Sequence, residues 1–316
     1  MTPEALKSKF PAWNIPNGYS ACYQPDGGIL FPEKVVATTA RLARQYGADL
    51  RADTEVIDVS VESDGRVQVR TSTGDIFQAR RLILSPGAWL STLIAKSQLG
   101  RQSPRIHRLT QLLKPERQVV NWYAVKSEEE KMFQPDTFPV WVATYKKNHY
   151  YGFPVIADSQ YRGVKVGRYH HAYEQLDTEA SLNDLRARQT IQSNDREYTD
   201  EFMATMFQPK WIQTDATTPL LYSSTCIFTN SPDEHFIVDP QPDPAYPQIS
   251  LISACSGHGF KFSSVLGEIM ARFILEGAEV VEKDLPIKWL DAGRLLGDRP
   301  PLQVLDPHIE MKNKQI

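Results

Sequence analysis

SACSGHGFKFSSVLGEIMARFILEG, residues Ser253–Gly277, is the stretch on which the reading of this 316-residue chain turns. Gly257 and Gly259 leave no Cβ between their backbone N–H groups and a ligand, and Ser263 or Ser264 stands where a helix would be capped. Val265, Leu266, Ile269, Met270, Phe273 and Ile274 then fall on one helical stripe. With ISLIS ahead of it, the stretch predicts strand, tight turn and helix in succession, and the positive end of such a helix stabilises an anionic group. The same spacing also fits an ordinary glycine turn before a core helix. Lys261, between Phe260 and Phe262, is placed either to be partly desolvated at a reacting centre or to extend its head into solvent.

Working outward, LYSSTCIFTN and SPDEHFIVD predict two strands upstream of the glycine turn. RLILSPGAW, residues 81–89, predicts a short buried strand breaking at Pro86-Gly87, and such strand ends border ligand crevices. From Asp49 to this strand, alternating Val and Ile with turn signals at Asp64-Gly65 and Gly74-Asp75 predict hairpins. Lys34–Tyr46 carries Val35, Val36, Ala40, Leu42 and Ala43 at helical spacing and ends at Gly47. Ser8–Lys34, dense in Pro, Gly and aromatics, predicts loops and short strands. Gln118–Val125, Phe138–Tyr145, Tyr150–Ile156 and Val164–Tyr169 predict an antiparallel sheet with a turn at Lys146-Lys147-Asn148. Ser181–Met206 predicts one or two surface helices packing through Leu185, Ile191, Phe202, Met203 and Met206, and the Pro-rich tail beyond Asp291 predicts irregular structure.

The 35 basic and 38 acidic residues are interspersed, leaving no basic stripe for nucleic acid. Cys22, Cys226 and Cys255 are too scattered for a disulfide framework, and His170, His171, His235 and His258 lack metal-site spacing. The expectation is no metal and a reducing, cytoplasmic compartment. No apolar run reaches the roughly 20 residues of a membrane span, and MTPEALKSKF lacks the apolar core of a secretory signal. Asp233-Glu234-His235 reads as a polar turn, since no serine stands on a nucleophile elbow. Cys226, in a β-like run, reads locally as a buried small thiol. Tyr150, Tyr151, Phe153, Trp122, Tyr123 and Trp141 either line an apolar pocket or fill a core.

Together, PNGYSACYQPDGGILFPE, LILSPGAWLSTL, YYGFPV, CIFTNSPDEHFIVD and SGHGFKFSSVLGE resemble, in order and spacing, the monomeric sarcosine oxidase and N-methyltryptophan oxidase family of D-amino-acid-oxidase-like flavoproteins. The resemblance implies FAD held covalently by a thioether from Cys226 to the flavin 8α-methyl carbon, with Gly87, Gly257, Gly259, Phe260 and Lys261 also at the cofactor. It implies Lys261 near flavin N5 as promoter of oxygen reduction, His258 against the isoalloxazine and substrate, and Tyr150 as a pocket tyrosine. The implied reaction oxidises the CH–NH group of a secondary amino acid to an imine. Hydrolysis then gives demethylated amine and formaldehyde, and O2 becomes hydrogen peroxide. The implied partners are the small-molecule amine and O2, and the implied state is a monomer.

Three departures accompany the resemblance. No G-x-G-x-x-G, the turn that seats a dinucleotide pyrophosphate, occurs in the chain. Met1 aligns well inside the family's chain, so the first quarter to third of a full-length oxidase is expected to lie outside this sequence. The family's active-site histidine falls near VKVGRYHHAY, where spacing places Tyr169 and a one-residue shift places His170, and Phe228 stands where the family has a tyrosine. The expected fold is α/β: an incomplete FAD-binding Rossmann-like domain (30–100 and 230–290) without its first βαβ unit, an antiparallel-sheet substrate domain (1–29 and 101–229), and a tail (291–316). The alternative expectation is a non-catalytic fragment or pseudoenzyme that cannot bind FAD alone, or a chain whose missing segment a second chain supplies.

Overall fold

Thr2 caps the first helix, α1 (Pro3–Lys9), through its hydroxyl, and a Pro- and aromatic-rich run without helices leads on to Phe31. The computed structural model describes residues 1–157, 159–176, 179–208, 210–213, 219–253, 255–285 and 287–298. Pro32 opens α2 (Pro32–Gln45), and Gly47, at φ 91°, takes the left-handed turn that ends it. The alternating run forms β1 (Val56–Val61), β2 (Val67–Thr71) and β3 (Ile76–Ala79), antiparallel and turned at Gly65 and Gly74. β4 (Leu82–Leu84) breaks at Pro86-Gly87 as expected.

Three helices absent from the sequence reading follow: α3 (Leu90–Lys96), α4 (Gln98–Gln102) and α5 (Pro104–Gln111). Ser97 and Ser103 cap the second and third, so each short helix starts on a side-chain acceptor. Then come β5 (Lys114–Ala124), β6 (Trp141–Tyr145), β7 (Asn148–Phe153), β8 (Gly163–Arg168), α6 (Glu179–Asn183), α7 (Leu185–Gln189) and α8 (Glu197–Met206). β9 (Tyr222–Asn230), β10 (Ile237–Asp239) and β11 (Ile249–Ser253) lead into α9 (Ser263–Glu276), α10 (Ala278–Asp284) and α11 (Gly293–Leu296).

The chain divides into two compact units: residues 1–29, 117–174 and 184–226, and residues 30–116, 175–183 and 227–316. These units differ from the expected boundaries, since 101–116, 175–183 and 227–229 fall with the second unit. The first unit is built on a sheet of order β6-β7-β8-β5-β9, whose β5 to β8 pairings are antiparallel. Side chains alternate across a strand, and one face of this sheet is the core. Tyr123, Tyr150, Val164 and Val166 are buried there with Phe202, Met203 and Met206 of α8. Tyr150 stacks on Phe202 at 4.2 Å between ring centroids, and Trp141 stacks on it at 5.3 Å. Leu185 and Ile191, expected to pack, are exposed instead.

A buried charge network fixes the end of the β8 region within this unit. Arg117, on β5, gives two hydrogen bonds to Asp195 (3.1 and 2.8 Å), donates to Glu174, and its backbone N–H donates to the Glu174 carbonyl. His171 Nε2 lies 3.1 Å from Asp195, and its backbone N–H donates to Gln118. Burial pushes the Asp195 carboxyl up, but the Arg117 hydrogen bond and charge outweigh it and hold it below the usual range. Burial lowers the His171 pKa against the opposing pull of Asp195.

The second unit packs the β1–β3 hairpins and helices α3 to α5 through Val59, Val67, Leu90, Ile94, Leu99, Ile106 and Leu109. A sheet of order β10-β11-β4 combines one antiparallel and one parallel pair, the parallel one joining β11 to β4. Leu266, Ile269, Met270 and Phe273 of α9 bury against Val238 and Val281, so the stripe read in the sequence is a core face. The tail reading needs correction over 291–298. Arg294 of α11 is buried, donates from Nε and Nη2 to both oxygens of Asp233 (2.7 and 3.1 Å), and also bonds the Leu290, Asp291 and His235 carbonyls. Residues 299–316, the rest of the expected irregular tail, lie outside the described residues.

Two outcomes follow from these buried charges. Arg294→Met strands the Asp233 carboxylate, so urea unfolding should show a loss of about 3–5 kcal/mol, whereas Asp233→Asn with Arg294→Met should recover part of it. Because the His171 pKa is lowered in the folded state, the unfolded chain binds the extra proton as pH falls through about 6.5. Stability is therefore present above that pH and declines toward pH 5, by up to about 1.4 kcal/mol per pH unit. Asp195 adds to the loss only below about pH 4. Urea titrations at pH 7, 6 and 5 should show this slope in the wild type and a shallower one in His171→Gln.

Candidate active site

Opposite its aromatic core, the five-stranded sheet of the first unit presents a second set of side chains. The register pairs Phe153 with Lys165 and Lys165 with Trp122 across β7, β8 and β5. Tyr222 of β9 lies against Trp122, 5.3 Å between ring centroids, and strand alternation carries the same face along β9 to Ser224 and Cys226. On the other side of Lys165, a Cβ added to Gly167 would come within 2.5 Å of the Tyr151 ring, so Tyr151 lies flat over that glycine on this face.

Cys226 is exposed, which overturns its reading as a buried packing thiol. The protein around it nevertheless desolvates the sulfur and pushes its pKa up to about 11, while the Lys165 charge acts in the lowering direction. Water reaches this thiol from one side and protein crowds the others. Tyr151 is half-buried, and desolvation raises its phenol pKa, with the Cys226 charge adding to the rise. Tyr150, expected in the pocket, is a core residue on the opposite face, as are Tyr123 and Trp141. The tyrosine on the side of Cys226 is Tyr151, one residue on.

At the end of β8, Tyr169 donates its backbone N–H to His149, and its ring meets His170 edge-on at 4.3 Å. His170 and Tyr173 adopt left-handed φ values of 54° and 55°, and their rings stack at 5.3 Å. Neither residue is glycine, so this loop holds strained backbone, which the Arg117–Asp195–His171 network fixes from beneath. His170 is buried and Tyr169 half-buried.

In the second unit the glycine-rich turn needs its glycines. Gly257 has φ 76°, and a Cβ there would run into the Phe228 ring. A Cβ on Gly259 would strike Cys255. Phe228 therefore occupies the space that the absent side chain leaves, a packing role for the residue that departs from the family tyrosine. His258 is exposed with Nδ1 2.9 Å from the Ser256 carbonyl. A carbonyl only accepts, so Nδ1 carries the proton and neutral His258 presents Nε2 as an acceptor. Phe260, Lys261 and Phe262 form one exposed 3-10 turn, and the Lys261 ammonium sits 5.8 Å from the Phe262 ring centroid. Of the two readings of Lys261, the exposed side chain agrees with the one that extends its head into solvent, and neither Ser263 nor Ser264 caps α9, which starts directly from this turn. Gly87 is exposed at φ 61° with open space where a Cβ would stand, beyond the end of β4.

The predicted residues thus form two groups, each within its own unit: Cys226, Tyr169 and His170 in the first, Gly87, Gly257, His258, Gly259, Phe260 and Lys261 in the second. The sequence reading missed Lys165, and named Tyr151 only among the aromatics that either line a pocket or fill a core. The signal was available in period-two alternation, which places both on the opposite face from Val164, Val166 and Tyr150.

The FAD dependent oxidoreductase family model matches residues 1–273. A monomeric sarcosine oxidase from Bacillus sp. (strain NS-129) is 31% identical over 290 residues, covering 92% of this chain and 67% of the relative. An N-methyl-L-tryptophan oxidase from Salmonella typhi is 27% identical, covering 86% of this chain and 63% of the relative. The chain spans about two thirds of the length of the curated relatives it matches. Among solved structures, an L-proline dehydrogenase from P. horikoshii superposes with a TM-score of 0.65 at 19% identity, covering 95% of this chain and 69% of that one. The amino acid oxidase NikD superposes with a TM-score of 0.64 at 19% identity, covering 88% of this chain and 65% of that one, a likeness of fold. On the extent of the family match and the identity to the sarcosine oxidase, the chain belongs to the FAD dependent oxidoreductase family.

Proposed function

We propose that this chain carries the flavin-ring and substrate residues of an FAD-dependent oxidase acting on the CH–NH group of an N-methylated amino acid. The products are an imine, which hydrolyses to demethylated amine and formaldehyde, and hydrogen peroxide from O2. The observation that carries the reading is Cys226: an exposed thiol, crowded by protein, beside Tyr151 and within reach of the Lys165 charge.

The residues fit the ring end of FAD. A reachable thiol is the donor that a thioether to the flavin requires, and Gly87, exposed at φ 61°, takes a backbone turn that side chains rarely adopt. No G-x-G-x-x-G occurs in the sequence, and no residue is assigned to the pyrophosphate. Bound there, FAD supplies the two-electron acceptor for cleavage of the substrate C–H bond.

This chain's residues do the holding and the electrostatics. Cys226 would hold the cofactor through its thiol, Gly257 and Gly259 would leave backbone free to approach it, and Phe260 would offer it an apolar ring. Lys261 offers the positive charge that favours oxygen reduction, and His258 offers Nε2 as acceptor to the substrate ammonium or amine. Tyr169 and His170, held in a strained loop, face substrate, and Tyr151 replaces Tyr150 as the pocket tyrosine.

A peroxide-coupled assay on the FAD-supplemented chain should give turnover with N-methyl amino acids and far less with their primary-amine counterparts. Lys261→Met should lower oxidative turnover by about a hundredfold, the scale of removing one electrostatic stabiliser. No peroxide above blank across a panel of small and aromatic N-methyl amino acids would contradict the reading.

A further inference from the structure

Lysine is a poor fixed charge. Its four-carbon stem is flexible and its ammonium strongly hydrated, so an ordinary half-buried lysine swings its head to solvent. Lys165 is placed differently. Its Nζ lies 4.9 Å from the Trp122 ring centroid and 5.0 Å from that of Phe153, one ring on each neighbouring strand. An ammonium over an aromatic face is drawn to the ring quadrupole, and the attraction strengthens where water is scarce.

The Trp122 ring is itself held. It packs against Tyr222 at 5.3 Å and Tyr161 at 6.2 Å, and those two tyrosines stack on each other at 3.9 Å with their planes 9° apart. Strand alternation carries the same sheet face along β9 from Tyr222 to Cys226, and the Lys165 charge acts on that thiol in the lowering direction.

We propose that Trp122 and Phe153 are positioning residues, whose rings hold the Lys165 ammonium as a fixed cation on the sheet face that carries Cys226. The inference deepens the oxidase reading and rests on it for its purpose: a fixed cation beside Cys226 would stabilise negative charge on whatever group that thiol holds. The geometry itself belongs to the chain alone, and its test requires no turnover.

The full chain is produced under riboflavin limitation in a Cys22→Ser/Cys255→Ser background, and iodoacetamide alkylation of Cys226 is timed at fixed pH below the thiol pKa. A fixed cation raises the thiolate fraction, so Lys165→Met should slow alkylation about threefold or more. Trp122→Leu should slow it comparably, Trp122→Phe should retain most of the rate, and Trp122→Leu combined with Lys165→Met should be no slower than Lys165→Met alone. Added salt should narrow the gap between wild type and Lys165→Met. If Trp122→Leu fails to fold, Phe153→Leu carries the same comparison. A Lys165→Met rate equal to wild type overturns the proposal. So do ring variants that keep the wild-type rate and salt dependence, or a double variant in which the losses simply multiply. Absence of peroxide in the turnover assay would sink the oxidase reading and leave these rates unaffected.

Discussion

The period-two alternation of one antiparallel sheet is the constraint on which the account depends. Because successive side chains of β5, β7, β8 and β9 point to opposite faces, burying Tyr123, Tyr150, Val164 and Val166 in an aromatic core obliges Trp122, Tyr151, Lys165 and Cys226 to share the other face. A one-residue slip would exchange the two sets, placing a lysine and a thiol in the core. The core is therefore what assigns the chemistry: Tyr150 stacked on Phe202 and Trp141 flat over Gly152 leave the register no freedom.

Charge is handled by the same economy in both units. Arg117 with Asp195, and Arg294 with Asp233, are buried pairs whose guanidinium groups also satisfy backbone carbonyls, so each ties a loop to an element distant in sequence. Such pairs add little net stability over an apolar substitute, but they penalise any arrangement that separates them. Arg117 secures the strained loop bearing Tyr169 and His170, and Arg294 secures the Ser231–His235 turn between β9 and β10. Lys165 has aromatic rings beside it as well, its ammonium 4.9 and 5.0 Å from the Trp122 and Phe153 centroids.

Much of this was legible in the sequence, and the failures have physical causes. Gly65 and Gly74 announced the hairpins, and Gly257 announced a turn that a Cβ would block. Helices α3, α4 and α5 were missed because they are short and rely on tertiary packing, with serine caps on α4 and α5, rather than on a long stripe. The tail reading failed over 291–298 because a polar composition hides the one arginine that a distant aspartate draws into the core. Tyr150 was chosen over Tyr151 because a motif marks a neighbourhood, whereas only the pattern of burial along β7 decides which face each tyrosine takes.

The proposal that Cys226 holds the flavin is tested most directly by the visible absorption spectrum of the acid-precipitated protein. The account predicts a yellow pellet that retains flavin absorbance, and a Cys226→Ala pellet that is colourless because its flavin stays in the supernatant. A colourless wild-type pellet, or equal retention by both proteins, would contradict it.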